Sequence, residues 1–128
     1  MPKKVIDYVK LLSVGDTKDK LKLGNLDIKR DWGLAKEYAV AMYKSIQQKI
    51  PKDCVICTGE QMTLKKFVKH AFLFHGFNAD EFVETDQNFL RKNELFGSVG
   101  DINEAIKKLN WKADTTGLQV IESLFVDD

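Results

Sequence analysis

The chain has 128 residues, of which 44% are hydrophobic and 30% are charged, and its formal net charge is +1. This length and balance are typical of one globular domain over residues 1–128 and exclude a disordered or two-domain chain. A charge near zero gives no net field to hold a polyanion, so we expect no nucleic-acid partner. The apolar runs are too short to span a bilayer or form a signal peptide, which predicts a cytoplasmic protein without membrane contact.

The first half of the chain predicts two helices separated by a strand. Apolar residues spaced among charges indicate an amphipathic helix over Pro2–Ser13. After a Gly-Asn turn, a strand is predicted from Leu26 to Trp32. A second helix begins after Gly33 and stops before Pro51. Apolar side chains recur along this helix at helical spacing: Leu34, Ala35, Tyr38, Ala41, Met42 and Ile46.

The second half continues the alternation of strands and helices. The β-branched run Cys54–Thr58 predicts a buried strand, and Thr63 caps a following helix that ends at Gly76. The remaining predicted elements are a strand at Glu81–Thr85, a helix at Ile102–Leu109 capped by Asp101, and a helix at Thr116–Leu124. This order predicts the α/β class, as a small mixed α/β domain.

Arginine is rare in this chain. Of the twenty basic residues, only Arg30 and Arg91 are arginines. When lysine supplies nearly all of the surface charge, each arginine is a candidate for forked hydrogen bonding to phosphate or carboxylate, which lysine performs poorly. The alternative is a surface role in which Arg30 pairs with Asp31 or Glu37.

The spacing of Cys54, Cys57, His70 and His75 matches the pattern of a two-cysteine, two-histidine zinc finger. A finger needs its two cysteines on a hairpin knuckle, so that four ligands converge on the metal. The intervening Val55-Ile56 favours an extended strand, in which positions three apart point to opposite faces. We therefore predict no metal and no disulfide here, and buried thiols instead.

The usual signatures of nucleotide binding and nucleophilic catalysis are missing. The sequence contains no G-x-G-x-x-G, no phosphate loop and no G-x-S-x-G. Each of Tyr8, Tyr38 and Tyr43 lacks a lysine four residues later. No catalytic residue is assigned, and we expect this chain by itself to bind no cofactor.

Five blocks of sequence nevertheless occur in an order that resembles the GDP-mannose 4,6-dehydratases, lyases of the extended short-chain dehydrogenase/reductase family. The blocks are Leu23–Gly33 with Ala35–Tyr38, Val55–Glu60, Phe67-Val68, Gly100-Asp101 and Lys108–Lys112. The resemblance covers only the C-terminal, substrate-binding part of such an enzyme. It implies a truncated dehydratase-like lobe, in which Cys57 takes the place of a small buried alanine.

The resemblance also limits the chemistry that we expect. Enzymes of this family oxidise the hexose at C4 by hydride transfer to NADP, eliminate water across C5 and C6, and return the hydride. Their N-terminal nucleotide-binding half carries the Gly-rich turn, the catalytic Thr and Glu, and the Tyr-x-x-x-Lys pair, none of which has a counterpart here. The chain alone is therefore expected to be catalytically incomplete.

By motif match, Arg30 and Arg91 take the family positions that contact the substrate diphosphate, and Glu94 takes the position near the nucleoside ribose. This implies a module that binds a GDP-sugar or another nucleoside diphosphate weakly. The alternative is an interaction protein that reuses the lobe surface to form a homo-oligomer or to pair with a full-length dehydratase. Exposed apolar area discriminates between the two, because a lobe without its partner presents a patch larger than a monomer tolerates.

Overall fold

The computed structural model describes residues 1–90 and 94–126 and confirms a mixed α/β architecture. Within these residues no helix is long and apolar enough to cross a membrane. The elements in chain order are α1 (Pro2–Ser13), β1 (Leu21–Leu23), β2 (Lys29–Asp31), α2 (Ala35–Ile46), β3 (Gln61–Thr63), α3 (Leu64–Phe74), α4 (Ala79–Phe82), β4 (Val83–Thr85), a 3-10 helix (Gln87–Phe89), α5 (Asn103–Leu109) and α6 (Leu118–Val126).

The strands form two separate pairs. β1 runs parallel to β4, with Leu23 opposite Thr85. β2 runs antiparallel to β3, with Arg30 opposite Met62. β3 continues directly into α3, so the second pair is joined to the central helix without an intervening loop.

Helix α3 is the centre of the fold, and both of its ends follow the sequence prediction. The Thr63 hydroxyl accepts a hydrogen bond from the N–H of Lys66 at 3.1 Å, which satisfies one of the free donors of the first turn. After the helix, Gly76 has a φ of +78°, which a residue without Cβ adopts at low cost. The inner face buries Leu64, Phe67, Val68, Ala71 and Phe72.

The buried hydrophobic side chains form two separate clusters. The larger one packs α1, β1, α3 and α6 together and contains the three largest enclosed side chains, Phe67, Phe72 and Leu23. The smaller one lies between α2 and α5 and consists of Ala41, Ala105, Leu109, Trp111 and Ala113. The ring of Tyr38 packs edge-on against Trp111, with 6.0 Å between the ring centroids.

The predicted strand at Cys54–Thr58 is wrong. These residues are not assigned to a strand, and Val55 is 58% exposed. A strand requires a neighbouring backbone, but the N–H of Thr58 donates to the Asp31 carboxylate at 3.0 Å instead of to a carbonyl group. The pattern therefore identified residues suited to a sheet, but the described chain brings no second strand to them.

The structure also corrects two further predictions, one on the length of a strand and one on the burial of a helix face. Of the strand predicted from Leu26 to Trp32, only Lys29–Asp31 pairs, because Asn25 Oδ1 accepts the N–H of Asp27 at 2.9 Å and closes a turn there. Helix α2 ends at Ile46, and the apolar face predicted for it is only partly buried. Met42 and Ile46 are exposed because α5 and Trp111 cover only the side of α2 that carries Tyr38 and Ala41.

Candidate functional site

A cavity of about 630 Å³ opens where the N-terminus of α1, the end of β1, β2 and the 3-10 helix meet. This volume lies within the usual range for sites that bind small molecules. The apolar lining includes Leu23, Ile28, Trp32 and Leu64. The polar lining consists of Lys4, Lys22, Asn25, Arg30, Asp31, Asn88 and Glu94.

The 3-10 helix borders the cavity because residue 24 is a glycine. A Cβ atom at Gly24 would lie 2.6 Å from the carbonyl oxygen of Phe89, which is closer than real Cβ contacts come. The N–H of Asp86 donates to the carbonyl of Leu23 at 2.8 Å, and the Asp86 carboxylate then accepts the N–H of Asn88. The turn after β4 is thereby fixed directly against the end of β1.

Arg30, the first predicted site residue, lines the cavity from β2. Its Nη1 donates to the carbonyl oxygens of Lys29 and Leu95, both at 2.7 Å. Both of these bonds come from Nη1, and among the described residues Nη2 and Nε donate to no other group. The surface alternative, in which Arg30 pairs with Asp31 or Glu37, is not what the structure shows, because both carboxylates bind other groups.

The other two predicted site residues lie close together in sequence. Glu94 is half-buried and lines the same cavity as Arg30, so the structure brings these two residues together. Arg91 lies outside the described residues. Its neighbour Leu90 lines the cavity, which places the chain on either side of residues 91–93 at this site.

Two lysines that the sequence analysis did not select also line the cavity. Lys4 Nζ donates to the carbonyl of Lys22 at 2.8 Å and lies 4.9 Å from the centroid of the Phe89 ring. Lys22 Nζ pairs with Glu84 at 3.5 Å. The spacing along the chain gave no signal for Lys4, because α1 and β1 come together only in the folded structure.

Asp31 lines the cavity, but its carboxylate is used within the protein. Oδ1 accepts hydrogen bonds from the N–H and the hydroxyl of Thr58 at 3.0 and 2.6 Å, and Oδ2 accepts the N–H of Gly59 at 2.8 Å. These charge-assisted bonds join the motif around Arg30 to the motif around Thr58. Asp31 is therefore a residue that positions the backbone of β2, and sequence reasoning missed this role.

Two titratable side chains near Asp31, Tyr38 and Cys57, have raised pKa values, which favour their neutral forms. Burial, together with the nearby Asp31 carboxylate, raises the pKa of Tyr38 to about 12. Burial and the same carboxylate also raise the pKa of the Cys57 thiol. A thiol that resists deprotonation is a poor nucleophile and a poor metal ligand.

The family described as GDP-mannose 4,6 dehydratase matches residues 1–124. This match includes nearly all of the described chain and every residue of the cavity. The chain belongs to the GDP-mannose 4,6 dehydratase family.

Two relatives in this family show how much of it the chain represents. GDP-mannose 4,6 dehydratase 2 of Arabidopsis thaliana is 38% identical over 109 residues, and this alignment covers 85% of the chain and 29% of the relative. The human GDP-mannose 4,6 dehydratase is 39% identical over 107 residues, covering 70% of the chain and 29% of the relative. The homology is to the C-terminal region of these enzymes.

Solved structures support the fold. RMD from Pseudomonas aeruginosa, solved with NADPH, has a TM-score of 0.77 at 15% identity and covers 98% of this chain and 40% of its own. WbmG from Bordetella bronchiseptica, solved with NAD and UDP, has a TM-score of 0.69 at 18% identity, with 97% of this chain and 39% of its own covered. At these identities the likeness concerns the fold alone.

The described residues do not fit the dinucleotide that the family uses. Such a site needs a Gly-rich turn between a strand and a helix, whose free N–H groups receive the pyrophosphate. Helix α2 begins after Leu34, and α3 follows β3 directly with its first turn capped by Thr63. Neither of these two strand–helix junctions offers a Gly-rich turn that could receive a pyrophosphate.

The four residues of the zinc-finger pattern do not converge. Cys54 and Cys57 are free thiols. His70 Nε2 lies 2.9 Å from Glu122 Oε1, whereas His75 Nδ1 lies 3.3 Å from the hydroxyl of Ser13. Within residues 1–90 and 94–126 no group of three or more metal-ligating side chains is suitably placed to hold an ion.

Proposed function

We propose that this chain is a nucleotide-sugar binding lobe of the dehydratase family that holds the diphosphate of a GDP-sugar in the cavity. The observation that carries the proposal is the gathering of Lys4, Lys22 and Arg30 around one cavity whose other charged side chains are Glu94 and Asp31. The Asp31 carboxylate accepts hydrogen bonds from Thr58 and Gly59, which occupy both of its oxygens within the protein. With three cationic side chains against two carboxylates, the described lining has an excess of positive charge, which supports binding of an anion.

Arg30 is the residue on which a phosphate contact depends most. Its two bonds to carbonyl groups fix the guanidinium plane, so little rotamer entropy remains to be lost when a ligand binds. Arg91 completes the arrangement in this proposal, as a second forked donor for the same diphosphate. Glu94 then lies at the nucleoside end, where a carboxylate accepts hydrogen bonds from ribose hydroxyl groups.

The expected affinity is weak. A charge-assisted contact to phosphate contributes about 1.5–3 kcal/mol, but the lobe lacks the part of the family fold that would enclose the hexose. We expect dissociation constants from about 1 mM to high micromolar, which correspond to roughly 4–6 kcal/mol. GDP and GDP-mannose should bind almost equally, because the sugar finds few contacts.

An NMR titration with GDP-mannose tests the proposal. Amide resonances of the cavity residues should shift in the wild type, and Arg30→Lys should weaken binding by about tenfold although the charge is unchanged, because an ammonium group cannot form the planar fork. Lys107→Ala, an exposed change on α5 far from the cavity lining, serves as the control. If no cavity resonance shifts at millimolar ligand, the proposal is wrong.

The lobe is proposed to be catalytically silent by itself. It carries neither a dinucleotide site in the described residues nor the Tyr-x-x-x-Lys pair that the family uses. Purified chain incubated with GDP-mannose and NADP should release no 4-keto-6-deoxy sugar. If the purified chain formed this product without an added protein, the proposal that it is catalytically silent would be wrong.

A further inference from the structure

Helix α2 carries a continuous apolar stripe on its exposed side. Ala35, Ala39, Met42 and Ile46 follow one another at intervals of four, three and four residues, and all four are exposed. Residues at these intervals lie on one side of a helix, in the pattern by which helices pack against each other. Met42 and Ile46, the two large members, are 61% and 78% exposed. We call these four residues the α2 stripe.

The α2 stripe is separate from the side of α2 that packs within the chain, and it has a shape of its own. Ala41, on the packed side, is fully buried in the smaller cluster with Trp111. The first two residues of the stripe are alanines, which let a neighbouring helix approach closely, whereas Met42 and Ile46 occupy a wider gap. Next to these two residues, a shallow groove of about 350 Å³ extends the apolar surface to Ile56. The stripe is therefore suited to a helix rather than to a small ligand.

We propose that the α2 stripe is the docking surface for the part of the family fold that this chain does not cover, and that a helix of that part lies along it. The occupant is thus a polypeptide of the same family that carries the dinucleotide-binding part. This proposal concerns a partner and does not rest on the binding of a nucleotide sugar in the cavity. The cavity shares no lining residue with the stripe or its groove, so both can be occupied together.

The solved structures give the reason for choosing this occupant. RMD from Pseudomonas aeruginosa matches 98% of this chain with 40% of its own length, at a TM-score of 0.77. More than half of that protein therefore lies outside the matched fold but belongs to the same polypeptide. A domain buries the apolar faces of its helices against its other elements, so the remaining part needs an apolar surface on the matched part. Around α3 the inner face is already covered by α1 and α6, whereas α2 offers the stripe.

Co-expression of two polypeptides is the first test. The partner is the Arabidopsis relative, shortened so that it ends before its matched C-terminal region, and the two chains should purify together. Met42→Lys and Ile46→Glu each place a charge in an apolar contact, so each should raise the dissociation constant by about tenfold or more. Both residues are exposed in the chain alone, so the melting temperatures of these variants should match the wild type. Leu73→Glu, a comparably exposed change on α3, should leave the complex intact.

A single-chain chimera is the second test, and it decides the question even where the shortened relative is insoluble. In this chimera, the 128-residue chain replaces the matched region of the Arabidopsis enzyme. Hydroxyl-radical labelling of Met42 and Ile46 should fall several-fold from the chain alone to the chimera, because a helix then covers both side chains. Labelling of Leu73 should stay the same.

Several results would overturn the proposal. One is a soluble shortened relative that does not purify with this chain, or a complex that survives both stripe variants. Another is a chimera that does not fold, or one in which Met42 stays as reactive as in the chain alone. Protection of Met42 in the chain alone at rising concentration would show instead that a second copy covers the stripe. None of these results depends on GDP-mannose binding, which the NMR titration measures separately.

Discussion

The two halves of this small fold differ in how completely they enclose their apolar side chains. Around α3, the helices α1 and α6 and the strand β1 close over Phe67, Phe72 and Ile121 until these side chains are fully buried. Around α2, a cluster made mostly of alanines and one tryptophan is closed by α5 on a single side. The same helical periodicity in sequence thus gives a finished core in one place and a half-covered helix in the other.

The difference shows what part of a family fold can stand by itself. The chain corresponds to 29% of the Arabidopsis relative, yet the inner face of α3 is fully covered within the described residues. The α2 region keeps apolar residues that no described part of the chain covers. An apolar periodicity predicts that a face is covered, but it does not say by which polypeptide.

The largest effect should come from emptying the finished core. Phe67 is 0% exposed and packs against Trp32 at 5.0 Å between ring centroids, so Phe67→Ala should lower the free energy of unfolding by about 3–5 kcal/mol. Met42→Ala on α2 is the matched change in the other region and should cost less than about 0.5 kcal/mol in the monomer. Denaturant titration at low protein concentration measures both. If both variants lost the same free energy of unfolding, the two regions would not differ in how completely they bury their apolar side chains.

A smaller effect is expected at the junction of the two regions. Asp31→Asn removes the charge from all three hydrogen bonds and replaces one accepting oxygen with an NH2 group that cannot accept. The free energy of unfolding should therefore fall by about 1–3 kcal/mol. The exposed Asp27→Asn, four residues earlier, is the control and should change the stability little. If the two variants melt together, Asp31 does not join β2 to Thr58 in solution.

The smallest effect should appear as a pH dependence within the α2 region. Burial acts to raise the pKa of Glu37, but hydrogen bonds from Thr115 and from the N–H of Asp114 outweigh it and hold the pKa below 4.5. A depressed pKa contributes stability above pH 4.5 that is lost as the pH falls through the folded-state value. Glu37→Gln should therefore flatten the acid side of a plot of stability against pH.

The exposed Glu81→Gln provides the comparison for Glu37. It removes one exposed carboxylate, to which the side chain of Asn78 donates, and so matches the change of charge in Glu37→Gln. Thermal melts between pH 3 and pH 6 distinguish the variants. An unchanged acid limb in Glu37→Gln would mean that the Asp114-Thr115 turn is not fastened to α2 by this carboxylate.

The sequence predicted correctly the ends of helix α3, because each end depends on only one or two residues. Thr63 and Gly76 delimit α3 because capping and a positive φ depend on one or two residues. The strand at Cys54–Thr58 failed because pairing depends on a partner, and composition does not reveal whether one is present. Arg30 and Glu94, which their motifs selected, line the same cavity in the structure. No signal in the sequence indicated Lys4, because a helix from another part of the chain brings it to this cavity.

The absence of a side chain at Gly24 has a consequence for how this cavity can change by mutation. With 2.6 Å between a hypothetical Cβ and the carbonyl of Phe89, even alanine would push the 3-10 helix outward. The Phe89 ring would move with it, and so would the surface against which Lys4 rests. A single methyl group at residue 24 would therefore change the width of the cavity while leaving every charged residue of its lining in place.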